Sequence, residues 1–236
     1  MRAILIDWLV EVHLKFKLQH PTLWLSVNIL DRYLNKEIIH RNQLQLVGVT
    51  ALLIAAKFEE IYPPEVRDCV YITDNAYDAD DVLEMENSIL VSLNYDLCVP
   101  TGYHFLVRYL TLINATDRIR FLANYYCERN LQEYETISQP PYKFAAAAVY
   151  AALRQNLPAP NSSKGSSGQS LSSAWPAVLR EETGLTDADL NPIAKSIIIH
   201  VGEEPVTASR RVLVATKHKY ELEKFQSVAR LPHPSF

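Results

Sequence analysis

Few side chains in this chain have the type and spacing that chemistry needs. Glu59 and Glu60 are adjacent carboxylates, but neighbours on a helix project about 100° apart, so the two diverge rather than form an acid–base pair. The seven histidines form no H-E-x-x-H metal motif, and no glycine-rich phosphate loop occurs. Cys69, Cys98 and Cys127 lie far apart without a C-x-x-C pair, which argues against zinc and against a disulfide framework and fits a reducing intracellular compartment. Catalysis, a metal and a cofactor are therefore not expected. Asn114-Ala115-Thr116 and Asn161-Ser162-Ser163 match the glycosylation sequon, and in such a compartment they are chance matches. The remaining candidate is Lys57, which opens the run Lys57-Phe58-Glu59-Glu60-Ile61 just before Pro63 and Pro64. Two readings are open for it. As a cation in a last helical turn it complements the helix dipole, by a few tenths to about 1 kcal/mol. Alternatively, packed neighbours fix it so that its donors meet something outside the domain, such as another helix's exposed carbonyls.

The element that must position Lys57 is a helix from Gln43 to Ile61 with apolar or small residues on every side, which has to lie inside other helices. The prolines then stop it abruptly and leave a charged rim. Before it, Met1 to Phe16 forms a helix with Met1, Ile4, Leu5, Trp8, Leu9, Val12 and Phe16 on one broad arc. Ile6, Val10 and Leu14 lie opposite, with Arg2, Asp7, Glu11 and His13 at the borders. Two apolar sides fit either two partners or a wholly core helix, and periodicity leaves both open. Thr22 is the expected N-cap of a second helix, Leu23 to Leu34; Pro63 to Tyr71 reads as a brief helix or turn. Asp78 caps a further helix whose buried face is Val82, Met85, Ile89 and Leu93 and whose flank carries Glu86.

Pro100 marks a joint, after which comparable segments recur at Thr101–Leu112, Asp117–Leu131, Tyr142–Asn156, Trp175–Glu182 and beyond Thr186, a cap for the core run IAKSIIIHV. The fold class is all-α, a duplicated helical domain divided at 1–99 and 100–236. A Ser/Gly-rich insertion at 158–174 lacks the apolar anchors to offset its ordering entropy and reads as a mobile loop. Arg210, Arg211, Lys217, Lys219 and Lys224 are expected on a solvated helix face. With 48% hydrophobic and 21% charged residues the chain is a packed globular protein, and its net charge of -4 offers no footprint for nucleic acid. No apolar run reaches the roughly 18 residues of a membrane span, so no membrane association is expected.

Three long motifs in order, MRAILIDWLVEVH at Met1 to His13, LDRYL at Leu30 to Leu34 and KFEEIYPPEV at Lys57 to Val66, resemble the cyclin box. YIT at Tyr71 to Thr73, the NYDL segment at Asn94 and Trp175-Pro176 extend the likeness over nearly the whole chain, strongly in the first half and loosely in the second. LVEVH and the fungal-like YDADDVLEMEN at Tyr77 to Asn87 are most similar to mitotic B-type cyclins, although A-type cyclins share most of these motifs. The resemblance implies two tandem five-helix cyclin-box domains. It also implies a non-catalytic regulatory subunit that activates a cyclin-dependent serine/threonine kinase at the G2/M transition, in nucleus and cytoplasm. By the same resemblance, positions matching Lys57 and Glu86 form the polar centre of the kinase interface, flanked by Ile54, Phe58, Leu90, Tyr95 and Leu97. Met1, Ile4, Leu5 and Trp8, rimmed by Glu11 and Gln45, match a docking groove for Arg-x-Leu segments of substrates and inhibitors, and Arg2 and Asp31 match a buried structural pair. Relative to the family, the chain begins at the docking helix, without a preceding helix or destruction motif, which reads as a fragment or a misplaced gene start. A TFIIB-like cyclin-fold transcription adaptor is the alternative, and net charge -4 and the KFEEIYPP rim speak against it.

Overall fold

The run of small and apolar residues after Gln43 becomes α3 (Leu44–Glu59), buried without interruption from Leu46 to Ala56. A helix with no polar side must be enclosed, and the elements around α3 follow from that need. In the computed structural model the described residues are 1–155, 174–203 and 213–234. Among them there are eleven α-helices and no strand. They divide into two compact units, one of residues 1–104 with 213–216, the other of residues 105–155, 174–203 and 217–234. The expected loop at 158–174 falls almost wholly outside the described residues, as do Arg210 and Arg211. No described helix is long and apolar enough to cross a membrane.

In the first unit α3 is packed by α1 (Arg2–Lys15), α2 (His20–Lys36), α4 (Val66–Ile72) and α5 (Ala79–Ser92). Gly48 lets α1 come close, because a Cβ there would lie 2.7 Å from Leu5 Cδ1. Both sides of α1 prove to be core: Ile6, Leu9 and Val10 are fully buried and Val12 nearly so. Of its border residues, Glu11 is exposed and Arg2 half-buried, whereas Asp7 and His13 are buried. Asp7 is buried and accepts a hydrogen bond from the Ala215 amide at 3.0 Å, while buried His13 donates from Nε2 to the Gln19 carbonyl at 2.8 Å. Thr22 is not a cap, because α2 starts earlier, at His20, with Pro21 in its first turn where a missing N–H costs nothing. The buried Thr22 hydroxyl instead donates to Glu60, whose same oxygen accepts the Gln19 amide at 2.7 Å. Glu60 therefore ties the exit of α3 to the start of α2. Asp78 caps α5 as expected, in a reciprocal box with Asp81.

The second unit repeats the plan with α8 (Pro141–Gln155) at the centre, buried from Phe144 to Ala152 by a run of alanines that admits close neighbours. It is packed by α7 (Asp117–Asn130) and α10 (Asp187–Gly202); α9 (Ala177–Thr183) and all but the first residues of α6 (Gly102–Leu112) and α11 (Ala215–Glu221) complete the helices of this unit. Thr186 caps α10 in a box with Asp189, whose carboxyl the Thr186 hydroxyl holds below the usual carboxylate range. The IAKSIIIHV run is core on one face only, through Ala194, Ile197 and Val201, while Ile199 is exposed.

The C-terminal basic residues do not form one solvated face. Lys224 is exposed, but Lys219 is buried, its ammonium 2.7 Å from Oε2 of fully buried Glu128 and beside the Tyr220 and Phe225 rings. Sequence separation hid this pairing, since the two residues lie 91 positions apart. Removing one member strands a charge in the core, whereas an apolar pair of similar volume does not. Lys219→Met should therefore destabilise the chain by about 3–5 kcal/mol, and adding Glu128→Leu should recover most of that loss, both read from urea unfolding.

Candidate functional site

The last turn of α3 reaches the surface at Lys57. Its ammonium donates to both carboxylate oxygens of Glu86 on α5, at 2.6 and 2.7 Å. Glu86 is sunk, with 13% of its side chain exposed, while 45% of Lys57 stays open to solvent. An ammonium carries three donors, so one of Lys57 is left for another acceptor. The arrangement is a cation at a helix end, as the dipole reading has it, steered by a carboxylate from a neighbouring helix of the same unit.

The apolar residues expected beside this pair differ in exposure. Phe58 and Tyr95 are exposed, and Leu90 and Leu97 are half-buried. Leu83 and Val91 on α5 are exposed as well, and spacing alone did not single them out. The signal was present: Leu83, Glu86 and Leu90 fall at i, i+3 and i+7, a second apolar face on a helix already burying Val82 and Ile89. Ile54 differs from its expected role. It is 2% exposed and belongs to the core around α3, so a partner could touch almost none of it.

Tyr95 stands out because of its backbone. Asn94 and Tyr95 are both left-handed, at φ +53° and +56°, a conformation that costs a non-glycine residue on the order of 1–2 kcal/mol. Hydrogen bonds from the Tyr95 amide to Leu90 O at 2.8 Å and from the Asp96 amide to Leu93 O at 3.1 Å hold the turn. The ring is left 63% exposed.

The residues expected to line a groove on α1 differ in exposure. Met1 and Glu11 are exposed, and Ile4, Trp8 and Gln45 are half-buried. Trp8 packs against the cluster of Leu46, Val49, Leu53, Cys69 and Val82. Leu5 is only 7% exposed and rests on Gly48, so it is core and not an open contact. Arg2 is joined to Asp31 by two parallel bonds, Nε to Oδ1 at 2.6 Å and Nη2 to Oδ2 at 2.8 Å, which fix the first turn of α1 against α2.

No group of His, Cys, Asp and Glu among the described residues could hold a metal ion. Glu60 is occupied by α2, so Glu59 and Glu60 cannot work as a pair. Burial pushes the Cys69 thiol up to about 12 and raises Cys127 as well, while Cys98 is exposed.

Residues 1–98 match the family model "Cyclin, N-terminal domain" and residues 100–234 match "Cyclin, C-terminal domain". The chain belongs to the cyclin family. Its similar curated relatives are B-type cyclins. Cyclin-B1-2 of Arabidopsis thaliana is 43% identical over 195 residues, covering 83% of this chain and 41% of that protein. G2/mitotic-specific cyclin-B2 of Rana japonica is 39% identical over 232 residues, covering 98% of this cyclin and 55% of the relative. The chain thus spans about half the length of these relatives. A solved viral cyclin from Herpesvirus saimiri shares the fold with a TM-score of 0.71 at 20% identity, over 86% of this chain and 84% of that one. A chain of the yeast RNA Pol II CTD kinase CTDK-1 complex does so with a TM-score of 0.62 at 15% identity, over 93% and 74%.

The two ion pairs of the first unit should respond differently to truncation. Arg2→Ala leaves Asp31 in a poorly solvated place and should destabilise by about 3 kcal/mol, whereas Glu86→Ala leaves the half-open Lys57 ammonium to water and should change stability by less than about 1 kcal/mol. Thermal unfolding of both variants checks this. Alkylation of the native protein at pH 8 should modify Cys98 and spare Cys69 and Cys127, as read by mass spectrometry.

Proposed function

We propose that this cyclin is the non-catalytic regulatory subunit of a cyclin-dependent serine/threonine kinase, acting at the G2/M transition in nucleus and cytoplasm. The supporting observation is the Lys57–Glu86 pair at the rim of α3, with exposed Phe58 next to Lys57 in the chain and exposed Leu83 three residues before Glu86 on α5. A polar pair with a free donor and exposed apolar neighbours fits the anatomy of a protein interface. On this reading its effect on chemistry would come through the partner.

The mechanism follows from rigidity. A surface built on an enclosed helix keeps its shape and binds best the kinase conformation that matches it. If that is the active arrangement, with the kinase's mobile C-helix turned inward and its activation loop open, binding raises the active population by the ratio of the two affinities. The surface of Met1, Ile4, Trp8 and Glu11 at α1, with Gln45 of α3, is the docking site we assign to Arg-x-Leu segments, with Leu5 as its floor.

Two measurements test the assignment. Lys57→Ala and, separately, Glu86→Ala should raise the Kd for the kinase roughly thirtyfold to a few thousandfold, because each strands its partner in a desolvated interface. Wild-type affinity in both variants would show that the surface is elsewhere. Ile4→Ala with Trp8→Ala should raise KM roughly tenfold or more for an Arg-x-Leu substrate and leave a motif-free peptide unaffected. Equal loss on both substrates would place these residues in the core alone.

A further inference from the structure

Helix α5 carries Glu86 and Leu90 and leads into Tyr95. Val82, Ile89 and the following Leu93 are buried and Met85 packs against the same core, whereas Asn94, Tyr95 and Asp96 are all exposed. These anchors fix which face of α5 points inward but leave the Asn94–Asp96 turn without an apolar hold of its own. The C-terminal half of α2 supplies what is missing. Tyr33 exchanges a hydrogen bond with the Ser88 hydroxyl at 2.9 Å, and Glu37 accepts one from the Ser92 hydroxyl at 2.9 Å. The Lys36 ammonium donates to the Ser92 carbonyl at 2.7 Å, and Arg32 Nη1 donates to the Asp96 carbonyl at 2.8 Å. Residues 32, 33, 36 and 37 lie on one face of α2, so the four contacts form a single row.

The bonds to backbone carbonyls are the informative ones. A helix leaves its last four carbonyls without helical partners. At the end of α5 the Leu93 amide takes Ile89 O, the Tyr95 amide takes Leu90 O and the Asn94 amide takes Val91 O. Ser92 O remains, and Lys36 occupies it. The turn that follows holds two left-handed non-glycine residues and ends at Asp96, where Arg32 clasps the carbonyl and, from Nη2 at 3.4 Å, the carboxylate. Each clasp holds one end of the segment that presents Tyr95.

We infer that Arg32 and Lys36 are positioning residues for the kinase-binding surface: they cap α5 and lock the Asn94–Asp96 turn, setting the place of Tyr95 without touching the partner. This rests on the function proposed above. The role is tested on the whole chain by hydrogen exchange and by affinity for a purified cyclin-dependent kinase catalytic subunit. Arg32→Met with Lys36→Met should speed exchange of the Tyr95 and Asp96 amides about tenfold or more while the amides of Leu52 and Leu53 in α3 stay protected. The same variant should weaken kinase binding about tenfold, and that loss should largely vanish in a Tyr95→Ala background, since the two changes act through one contact. Lys36→Arg, which keeps a donor for Ser92 O, should behave as wild type.

Unchanged exchange at Tyr95 and Asp96 overturns the positioning role whatever the kinase does. Faster exchange with unaltered affinity, or a loss that simply adds to that of Tyr95→Ala, overturns the link to binding. A wild-type chain that fails to bind the kinase refutes the proposed function instead, and exchange alone then decides whether Arg32 and Lys36 hold the turn.

Discussion

Enclosure of α3 is the constraint on which the first unit depends. Eleven consecutive residues from Leu46 to Ala56 lie out of solvent, so the neighbouring helices must approach from all directions. Where one comes closest the residue is Gly48, beneath Leu5. A helix so enclosed can meet water only at its ends, and prolines at 63 and 64 make its exit abrupt. The position of Lys57 is thus a by-product of burying the rest of the helix. Glu60 fastens the exit to the start of α2, so the rim is held from both sides of the turn.

Ion pairs in this cyclin do different work according to how much water they keep. The Lys219–Glu128 pair in the second unit is dry, and its attraction must offset the desolvation of both groups. Such a pair contributes little net stability over an apolar substitute but strongly disfavours any packing that separates its members. Arg2–Asp31 is intermediate and bidentate, which suits it to fixing an angle between helices. Lys57–Glu86 keeps half of one partner wet, and its own contribution to folding is small.

What could be read from the sequence was what is local in the chain. The enclosed helix, the boxes begun by Asp78 and Thr186, and the alanine-rich α8 all depend on residues within a few positions of one another. What escaped was decided across distance. Thr22 has the chemistry of a cap and sits where a cap would fit, but Glu60, 38 positions later, claims its hydroxyl. Lys219 looks solvated until Glu128 is brought to it. For the candidate surface, spacing pointed to Lys57 and to a flank position for Glu86, and it was the likeness to cyclins that joined them. The same likeness assigned Ile54 and Leu5 to surfaces, because a family pattern records which positions contribute to a site and not how deeply each one lies. On α5 a second apolar face was legible in Leu83 and Leu90, of which Leu83 is exposed and Leu90 half-buried.

The internal neutrality of Lys57 and Glu86 has a bearing on how such a surface meets a partner. Each charge already has its counter-charge within 2.7 Å, so at a distance the two nearly cancel and what remains is a short-ranged dipole. Added salt has little left to screen there. Under the function proposed above, this pair itself would add little electrostatic steering to an encounter. Its part in discriminating between partners would lie in the lifetime of the complex, through how completely the neighbouring apolar side chains are dried and whether the remaining ammonium proton finds an acceptor.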